Sequence, residues 1–189
     1  MPLTKIDTNA ALIVIDLQKG TVGIPTVHPT NEIVSRSAQL ARAFRARGLP
    51  VVLVNVAGAA PGRSDAGTRY FASLPADWTE LVPELERHPD DYTVSKQRVG
   101  AFIGTSLDEI LRKRSVTQVF VTGIATTLGV ESTARSAYDY GYNVVTVVDA
   151  MTDRDAEAHR HSVEKIFPRI SETDTTDNVL KLLKKEHAY

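Results

Sequence analysis

The chain has 189 residues, 42% of them hydrophobic and 24% charged, which is enough for a buried core and predicts one domain spanning residues 1–189. Its formal net charge of -1 shows no excess of lysine and arginine, which binding to nucleic acid or to an acidic membrane surface requires. No apolar run approaches the ~18 residues of a membrane span. The absence of cysteine excludes disulfides, cysteine-bound metals and a thiolate nucleophile.

The first part of the chain reads as two strands separated by a helix and followed by a loop. A continuous apolar run predicts a strand at residues 10–16, with Asp16 at its end. Apolar residues at helical spacing predict a helix at about 30–48. The β-branched run at 51–56 predicts a central strand. The stretch 57–77 has no periodicity and predicts a long surface loop.

The second part continues the alternation of strands and helices. Strands are predicted at 92–95, 118–122, 143–148 and 169–172, and helices at about 105–114, between Gly129 and Gly141, at 154–167, and after Asp174, which is expected to cap the last helix. This alternation predicts a three-layer, Rossmann-like α/β fold with a parallel sheet of about six strands in the order 3-2-1-4-5-6 and helices on both faces.

Polar or flexible residues stand at the predicted carboxyl ends of several strands. Ligands of such sheets bind beyond these ends, near the point where the strand order reverses. The residues at the predicted ends are Asp16, Asn55, Lys96, Gly123 to Gly129, and Asp149. We therefore expect a functional site at this edge of the sheet.

Two of these residues, Asp16 and Lys96, are charged candidates for chemistry. Asp16 closes an apolar strand, where burial would strongly destabilise an unpaired carboxylate. From spacing alone, an aspartate that caps a turn or binds loop amides is as good an interpretation as a functional one. Lys96 alone is typical of a solvated lysine. Strand three lies two positions from strand one, roughly 9 to 10 Å away, so the chain at Lys96 must lean over the sheet to approach Asp16.

A glycine-bracketed turn follows the fourth strand. Gly123 and Gly129 enclose the residues Ile124 to Leu128, between the apolar run at 118–122 and the next helix. Glycine permits backbone angles and close approaches that are closed to larger residues, and free N–H groups at a helix start favour a negative or developing-negative ligand atom. We expect this turn to line the site.

Three motifs together resemble the isochorismatase-like hydrolase superfamily. They are Asp16 at the end of strand one, the segment Lys96 to Leu107, and the segment Gly123 to Arg135. The resemblance implies a hydrolase in which Asp16 handles a proton and Lys96 is the active-site lysine. It also implies a homo-oligomer that acts on a small-molecule substrate.

The same resemblance implies which residues line the substrate pocket. It implies a non-proline cis peptide between Ile124 and Ala125, which would turn the amides of Ala125 and Gly129 into the pocket. In the family's cysteine hydrolases the nucleophile stands where this chain has Gly129, so the thiolate route is closed here. True isochorismatases need no covalent intermediate: an aspartic acid protonates the vinyl carbon, water captures the oxocarbenium ion, and pyruvate leaves. Gly129 would then supply open space rather than reactivity.

Two functions from different classes follow. The first is a cysteine-independent hydrolase in which Asp16 is the general acid toward a small enol ether or a related substrate. The second is a degenerate cysteine hydrolase that only binds a small molecule or a partner. The acid role requires Asp16 to keep its proton near neutral pH although Lys96 favours ionisation, so burial or the substrate's carboxylates must outweigh the ammonium.

Residue types and motifs also bear on substrate binding and on cofactors. Arginine binds a carboxylate through two parallel hydrogen bonds, and the candidates are Arg63, Arg69 and Arg98. Of these, only Arg98 lies inside a family-like motif. No dinucleotide or P-loop motif is present, and the stretch after strand two lacks the histidines of the family's metal-binding branch, so we expect neither a cofactor nor a metal.

The remaining notable residues have structural interpretations. His159 lies on an apolar helix face and is interpreted as a hydrogen-bonded core histidine, whereas Asp153 and its charged neighbours read as solvated charges at a helix start. Trp78 and Tyr138 are interpreted as exposed residues that could serve an oligomer interface. The N-terminal segment has neither the charged nor the apolar region of a signal peptide, so a cytoplasmic protein is expected.

Overall fold

The computed structural model describes residues 3–65 and 73–185, and these contain a six-stranded, wholly parallel sheet. Its strands are β1 (Ala10–Ile15), β2 (Val51–Val56), β3 (Tyr92–Lys96), β4 (Gln118–Ile124), β5 (Asn143–Thr152) and β6 (Glu172–Asp174). They are ordered β3-β2-β1-β4-β5-β6. The order reverses between β1 and β4, which confirms the predicted fold class and the expected position of the switch point.

Helices cover both faces of this sheet. They are α1 (Lys19–Val22), α2 (Thr30–Ala46), α3 (Leu107–Lys113), α4 (Glu131–Asp139), α5 (Ala156–His161), α6 (Phe167–Ile170) and α7 (Thr176–Lys185), with a 3₁₀ turn at Pro83–Leu85 and π-helical turns at Thr126–Val130 and Ser162–Ile166. None of the helices among the described residues is long and apolar enough to cross a membrane.

The central strand β1 is buried on both faces and shows how the layers form. Leu12 and Val14 belong to the core shared with α2 and α7, whereas Ala11, Ile13 and Ile15 belong to the core shared with α3 and α4. Because side chains alternate along a strand, one continuous apolar run supplies both cores. Full burial of each large side chain contributes about 1.5–3 kcal/mol.

Strand β5 is longer than the sequence predicted. The prediction ended the strand at 148 with Asp149 at its carboxyl end, but β5 continues to Thr152. Val121 pairs with Thr146 and Gly123 with Met151, so β5 takes five steps while β4 takes two. The irregular register interrupts the strand pattern at Asp149 without ending the strand.

The elements after β5 also differ from the prediction. The predicted helix 154–167 starts later and continues as helical turns through Pro168, and the strand predicted at 169–172 lies at 172–174. Asp174 ends that strand, and its carboxylate accepts hydrogen bonds from the backbone of Thr175 at 2.8 Å and the side chain of Asn178 at 2.7 Å. Asp149, rather than Asp174, accepts the backbone N–H of Thr176 at 2.7 Å, where α7 begins.

The predicted loop at 57–77 lies partly outside the described residues, as does Arg69. Residues 57–65 and 74–77 contain no strand or α-helix. Trp78, which follows the loop, was expected to be exposed but is half-buried. Its indole ring lies against Gly20, where an added Cβ would approach the ring nitrogen to 2.1 Å.

Candidate functional site

Asp16 directly follows β1, at the carboxyl edge of the sheet and next to the switch point. Its backbone N–H donates to the carbonyl of Val54 at 2.8 Å, and its own carbonyl accepts the hydroxyl of Thr21. Its φ of 53° lies in the left-handed region, which aspartate adopts more readily than most residues. The chain thus turns sharply at Asp16, and the side chain is buried with 5% exposure of the residue.

Lys96 reaches Asp16 from the end of β3, two strands away. Its Nζ lies 2.7 Å from Oδ2 of Asp16, and the two side chains are 2% and 8% exposed. The ammonium also donates to the main-chain carbonyl of Arg98 at 3.3 Å. The long lysine side chain therefore spans β2, as the strand order required, and the two predicted catalytic residues form one buried ion pair.

Burial dominates the electrostatics of this pair. It raises the pKa of Asp16 from 3.8 to about 6, although the charge of Lys96 and its hydrogen bond act in the opposite direction. Oδ2 is bonded to Lys96, whereas Oδ1 is buried without a hydrogen-bond partner among the described residues. One carboxyl oxygen is thus held by the ammonium, and the other is a buried acceptor whose hydrogen-bonding capacity is unused among the described residues.

The end of β4 passes very close to β1 on the other side of Asp16. Gly123 has a φ of 117°, and a Cβ there would lie 2.0 Å from the carbonyl oxygen of Ile15. No larger residue fits this position, which explains the first glycine of the turn. The peptide bond between Ile124 and Ala125 is cis, which confirms the bond that the family resemblance implied.

Gly129 lies beside the Asp16 carboxyl, but its surroundings are crowded. A Cβ added at Gly129 would be 2.8 Å from Cγ2 of Ile15, 3.2 Å from Oδ2 of Asp16 and 3.3 Å from the carbonyl oxygen of Ile124. The expectation that glycine leaves open space is therefore wrong at the Cβ position. The absence of a side chain lets the turn pack against β1 and places the Gly129 backbone next to the carboxyl.

The turn that begins after the cis peptide is π-helical, from Thr126 to Val130, and residues after β5 hold it. Oδ2 of Asp153 accepts both the backbone N–H and the hydroxyl of Thr127, each at 2.8 Å. The hydroxyl of Thr126 lies 2.8 Å from Nδ1 of His159. Asp153 is only 6% exposed, so its interpretation as a solvated charge is wrong.

His159 has the hydrogen bond that its interpretation as a core residue required, but it is half-buried. Partial burial and the neighbouring His28 lower the pKa of His159, against the opposing charge of Asp153. The rings of His28 and His159 meet edge to face, with their centroids 4.9 Å apart. Neutral His159 is therefore favoured at pH 7.

Arg98 contributes its backbone to the site. Its guanidinium donates to the carbonyl of Gln97 at 2.7 Å and lies 3.5 Å from that of Ala59, while its own carbonyl accepts from Lys96. Binding of a substrate carboxylate by Arg98 stays a prediction, which would require the guanidinium to exchange these contacts. The described residues contain no cluster of three or more histidine, aspartate or glutamate side chains that could hold a metal.

Sequence reasoning missed one buried polar side chain that joins two strands next to the site. Gln18 is fully buried; its Oε1 accepts the N–H of Val56 at 2.7 Å, and its Nε2 donates to the carbonyls of Val56 and Trp78. It thereby ties the end of β1 to the end of β2. A polar residue two positions after Asp16 was a signal, because a buried amide must be paired, but the sequence does not show which groups it pairs with.

Comparisons with known proteins identify the family of this chain. A family model described as the isochorismatase domain matches residues 10–178. The isochorismatase family protein YwoC of Bacillus subtilis is 40% identical over 180 residues, which cover 92% of this chain and 94% of that protein. Ureidoacrylate amidohydrolase RutB of Pseudomonas savastanoi is 28% identical, covering 92% of this chain and 84% of that protein.

Solved structures show the same likeness. An isochorismatase family protein from Burkholderia thailandensis has a TM-score of 0.90 and 39% identity, covering 95% of this chain and 98% of that one. An N-carbamoylsarcosine amidase from Thermoplasma acidophilum has a TM-score of 0.72 and 25% identity, covering 89% and 97%. The chain therefore belongs to the isochorismatase family and is a hydrolase of that family.

Proposed function

We propose that this hydrolase acts without a covalent intermediate, with Asp16 as general acid toward a small enol ether or a related substrate. The chain has no cysteine, so a thiolate cannot attack a carbonyl. Protonation of a vinyl carbon followed by addition of water needs only an acid, a counter-charge and a shaped pocket. Asp16, Lys96 and the turn around Gly129 would supply these three parts.

The proposal rests above all on the state of the Asp16 carboxyl. Burial raises its pKa to about 6 although Lys96 lies 2.7 Å away. Because the ammonium holds Oδ2, the unpartnered Oδ1 is the oxygen that would bear the transferable proton. A carboxylic acid with a pKa near neutral pH is suited to general acid catalysis.

The reaction would proceed in balanced steps. Oδ1 of Asp16 gives its proton to the vinyl carbon, and the substrate becomes an oxocarbenium ion. Lys96 stabilises the resulting carboxylate. Water adds to the cation and returns a proton to Asp16, and the hemiketal collapses to a ketone and an alcohol. For isochorismate the ketone would be pyruvate.

The turn would shape the pocket around the reacting atoms. Gly123 and Gly129 both pack against the end of β1, and the cis peptide between Ile124 and Ala125 lies in the segment that joins them. In our proposal the amides of Ala125 and Gly129 face the substrate, and Arg98 meets a substrate carboxylate. Two of the relatives are named for hydrolysis of amides, so an amide substrate attacked directly by water is the class that the test must also include.

The expectations about assembly and location also belong to this proposal. We infer a homo-oligomer in the cytoplasm, without nucleic-acid or membrane partners. Tyr138 on α4 is 52% exposed and fits an interface, whereas half-buried Trp78 fits one less well. Sedimentation of the purified protein would measure the oligomeric state.

A pyruvate-release assay tests the proposed function. Purified protein is incubated with isochorismate and related enol ethers, and in parallel with ureidoacrylate and N-carbamoylsarcosine. We expect pyruvate from an enol ether, and its release should be roughly 10²- to 10⁴-fold slower with Asp16→Asn. Ammonia release from the amides alone would contradict the enol-ether proposal, and inertness toward every substrate would favour the alternative of a protein that only binds.

A further inference from the structure

The turn Thr126–Val130 is attached to the segment after β5 by side chains outside the ion pair. Oδ2 of Asp153 accepts two hydrogen bonds from Thr127, one from its backbone and one from its hydroxyl, both at 2.8 Å. Nδ1 of His159 lies 2.8 Å from the hydroxyl of Thr126. Two consecutive residues of the turn are therefore held by two residues six positions apart, on either side of the start of α5.

The environment of these bonds makes them effective restraints. Thr126 is completely buried and Asp153 is 6% exposed, so water competes little for either group. The ring of His159 is held in turn by the edge-to-face contact with His28, whose backbone N–H donates to the hydroxyl of Thr152 at 3.0 Å. The restraint is thus continuous from the end of β5 to the turn.

A hydroxyl beside an imidazole also has the geometry of a nucleophile and its base. Thr126 is completely buried, however, and its hydrogen bond with His159 holds the hydroxyl inside the fold. The hydroxyl of Thr127 is bonded to a carboxylate that already holds the adjacent N–H. Both hydroxyls therefore serve the backbone of the turn.

The position of the turn affects the site at Gly129, near the end of the turn. A Cβ added at Gly129 would be 3.2 Å from Oδ2 of Asp16, so the Gly129 backbone packs against the carboxyl that Lys96 also holds. A displacement of about 1 Å between a catalytic group and its neighbours is enough to lower a rate strongly. The hydrogen bonds that hold Thr126 and Thr127 therefore also fix the Gly129 backbone beside the Asp16 carboxyl.

We propose that His159 and Asp153 are positioning residues that fix the turn 126–130 against Asp16, acting through Thr126 and Thr127. This inference deepens the proposed function and rests on it for the effect on catalysis. The restraint itself is a property of the free protein. It can be measured without a substrate.

The test compares paired variants of the histidine. Asparagine places a polar atom at the same number of bonds from Cα as Nδ1, so His159→Asn can still accept the Thr126 hydroxyl, whereas His159→Phe cannot. Thr126→Val removes the hydroxyl with little change of shape. The matched control is Thr146→Val, which removes an equally buried hydroxyl that bonds to Ser171 at 3.0 Å, away from the turn.

Hydrogen–deuterium exchange of peptides covering 124–131 is the first measurement. We expect about tenfold faster exchange in His159→Phe and Thr126→Val, since the opening of the turn loses one restraining hydrogen bond. His159→Asn should return to within about threefold of the natural protein, and Thr146→Val should leave this peptide unchanged. Unchanged exchange in His159→Phe, or equal exchange in the asparagine and phenylalanine variants, would overturn the proposal.

Steady-state kinetics on the enol ether that the natural protein turns over is the second measurement. We expect kcat to fall about tenfold in His159→Phe with little change in KM, and to recover in His159→Asn, because the displaced Gly129 backbone affects the transition state more than binding. Faster exchange with unchanged kcat would reject the catalytic part of the proposal. If the natural protein turns over no enol ether, the proposed function fails, and the exchange experiment still decides whether the restraint exists.

Discussion

The two sides of the candidate site differ in what holds them. On one side, Asp16 and Lys96 form a buried ion pair across β2, with 2.7 Å between Nζ and Oδ2. On the other, the turn that ends near Gly129 is held by hydrogen bonds from Thr126 and Thr127 to residues after β5. A buried ion pair governs the first side, and hydrogen bonds that fix the position of a backbone segment govern the second.

The two sides should therefore respond differently to substitution. A buried ion pair is sensitive to the loss of either partner, because the remaining charge has no solvent to stabilise it. The turn contains neutral groups whose contribution is to place a backbone against the acid. Changes on the ion-pair side should therefore alter the pKa of Asp16 and remove most of the activity, whereas changes on the turn side should displace the backbone beside Asp16 and lower kcat less.

The largest expected effect is that of Asp16→Asn on activity. Asparagine keeps the size of the side chain but has no acidic proton, so we expect kcat to fall roughly 10²- to 10⁴-fold, the usual contribution of general acid catalysis. The matched control is Asp90→Asn, because the Asp90 side chain is 91% exposed. An Asp16→Asn variant with full activity would rule out the acid role.

Replacement of Lys96 should have the next largest effect, on stability. Lys96→Met leaves the Asp16 carboxyl buried without its ammonium, which we expect to lower the free energy of unfolding by about 3–5 kcal/mol and to raise the pKa of Asp16 further above 6. Urea denaturation measures the stability. The double variant Asp16→Asn, Lys96→Met should lose less than the sum of the single variants, and strict additivity would contradict the coupling.

The matched control for that experiment is Lys113→Met. Lys113 forms an ion pair with Glu109 at 2.6 Å, but its side chain is 72% exposed. Solvent screens such a pair, so we expect no measurable change in the urea midpoint. A loss of stability comparable with that of Lys96→Met would show that burial does not distinguish the two pairs.

On the turn side, we expect Gly129→Ala to lower the stability by a smaller amount. The added methyl group would approach Cγ2 of Ile15 to 2.8 Å, and we expect a loss of about 1–3 kcal/mol from overpacking. Gly62→Ala is the control, since an added Cβ meets nothing within 4 Å there. Thermal unfolding measures the stability of both variants. Equal melting temperatures would show that the turn can shift to accommodate the methyl group without a loss of stability.

The ion-pair side was largely predictable from the sequence, whereas on the turn side the turn itself was predicted and the residues that hold it were not. An aspartate at the end of an apolar strand and a lysine at the end of another are visible as residues out of pattern. The family resemblance connected them, and the strand order required the reach of Lys96 over β2. The cis peptide at Ile124-Ala125 was also implied by the resemblance.

The supports of the turn depend on contacts that no local pattern encodes. Asp153 looked like a solvated helix-start charge because its charged neighbours are indeed exposed, but the irregular register of β5 carries the strand to Thr152 and buries Asp153. The crowding at Gly129 likewise comes chiefly from a methyl group of Ile15 on β1, which is far away in the sequence. Tertiary packing, rather than propensity, decided both.

The most direct test of the account is the pH dependence of kcat/KM for the enol ether, measured between pH 4 and 8. The pKa of Asp16 is raised to about 6, so the acid form predominates below that pH and is lost above it. We predict a plateau at low pH and a roughly tenfold fall per pH unit above about 6, absent in Asp16→Asn. A kcat/KM that instead rises through pH 6 would show that Asp16 acts as a carboxylate base, and would contradict the account.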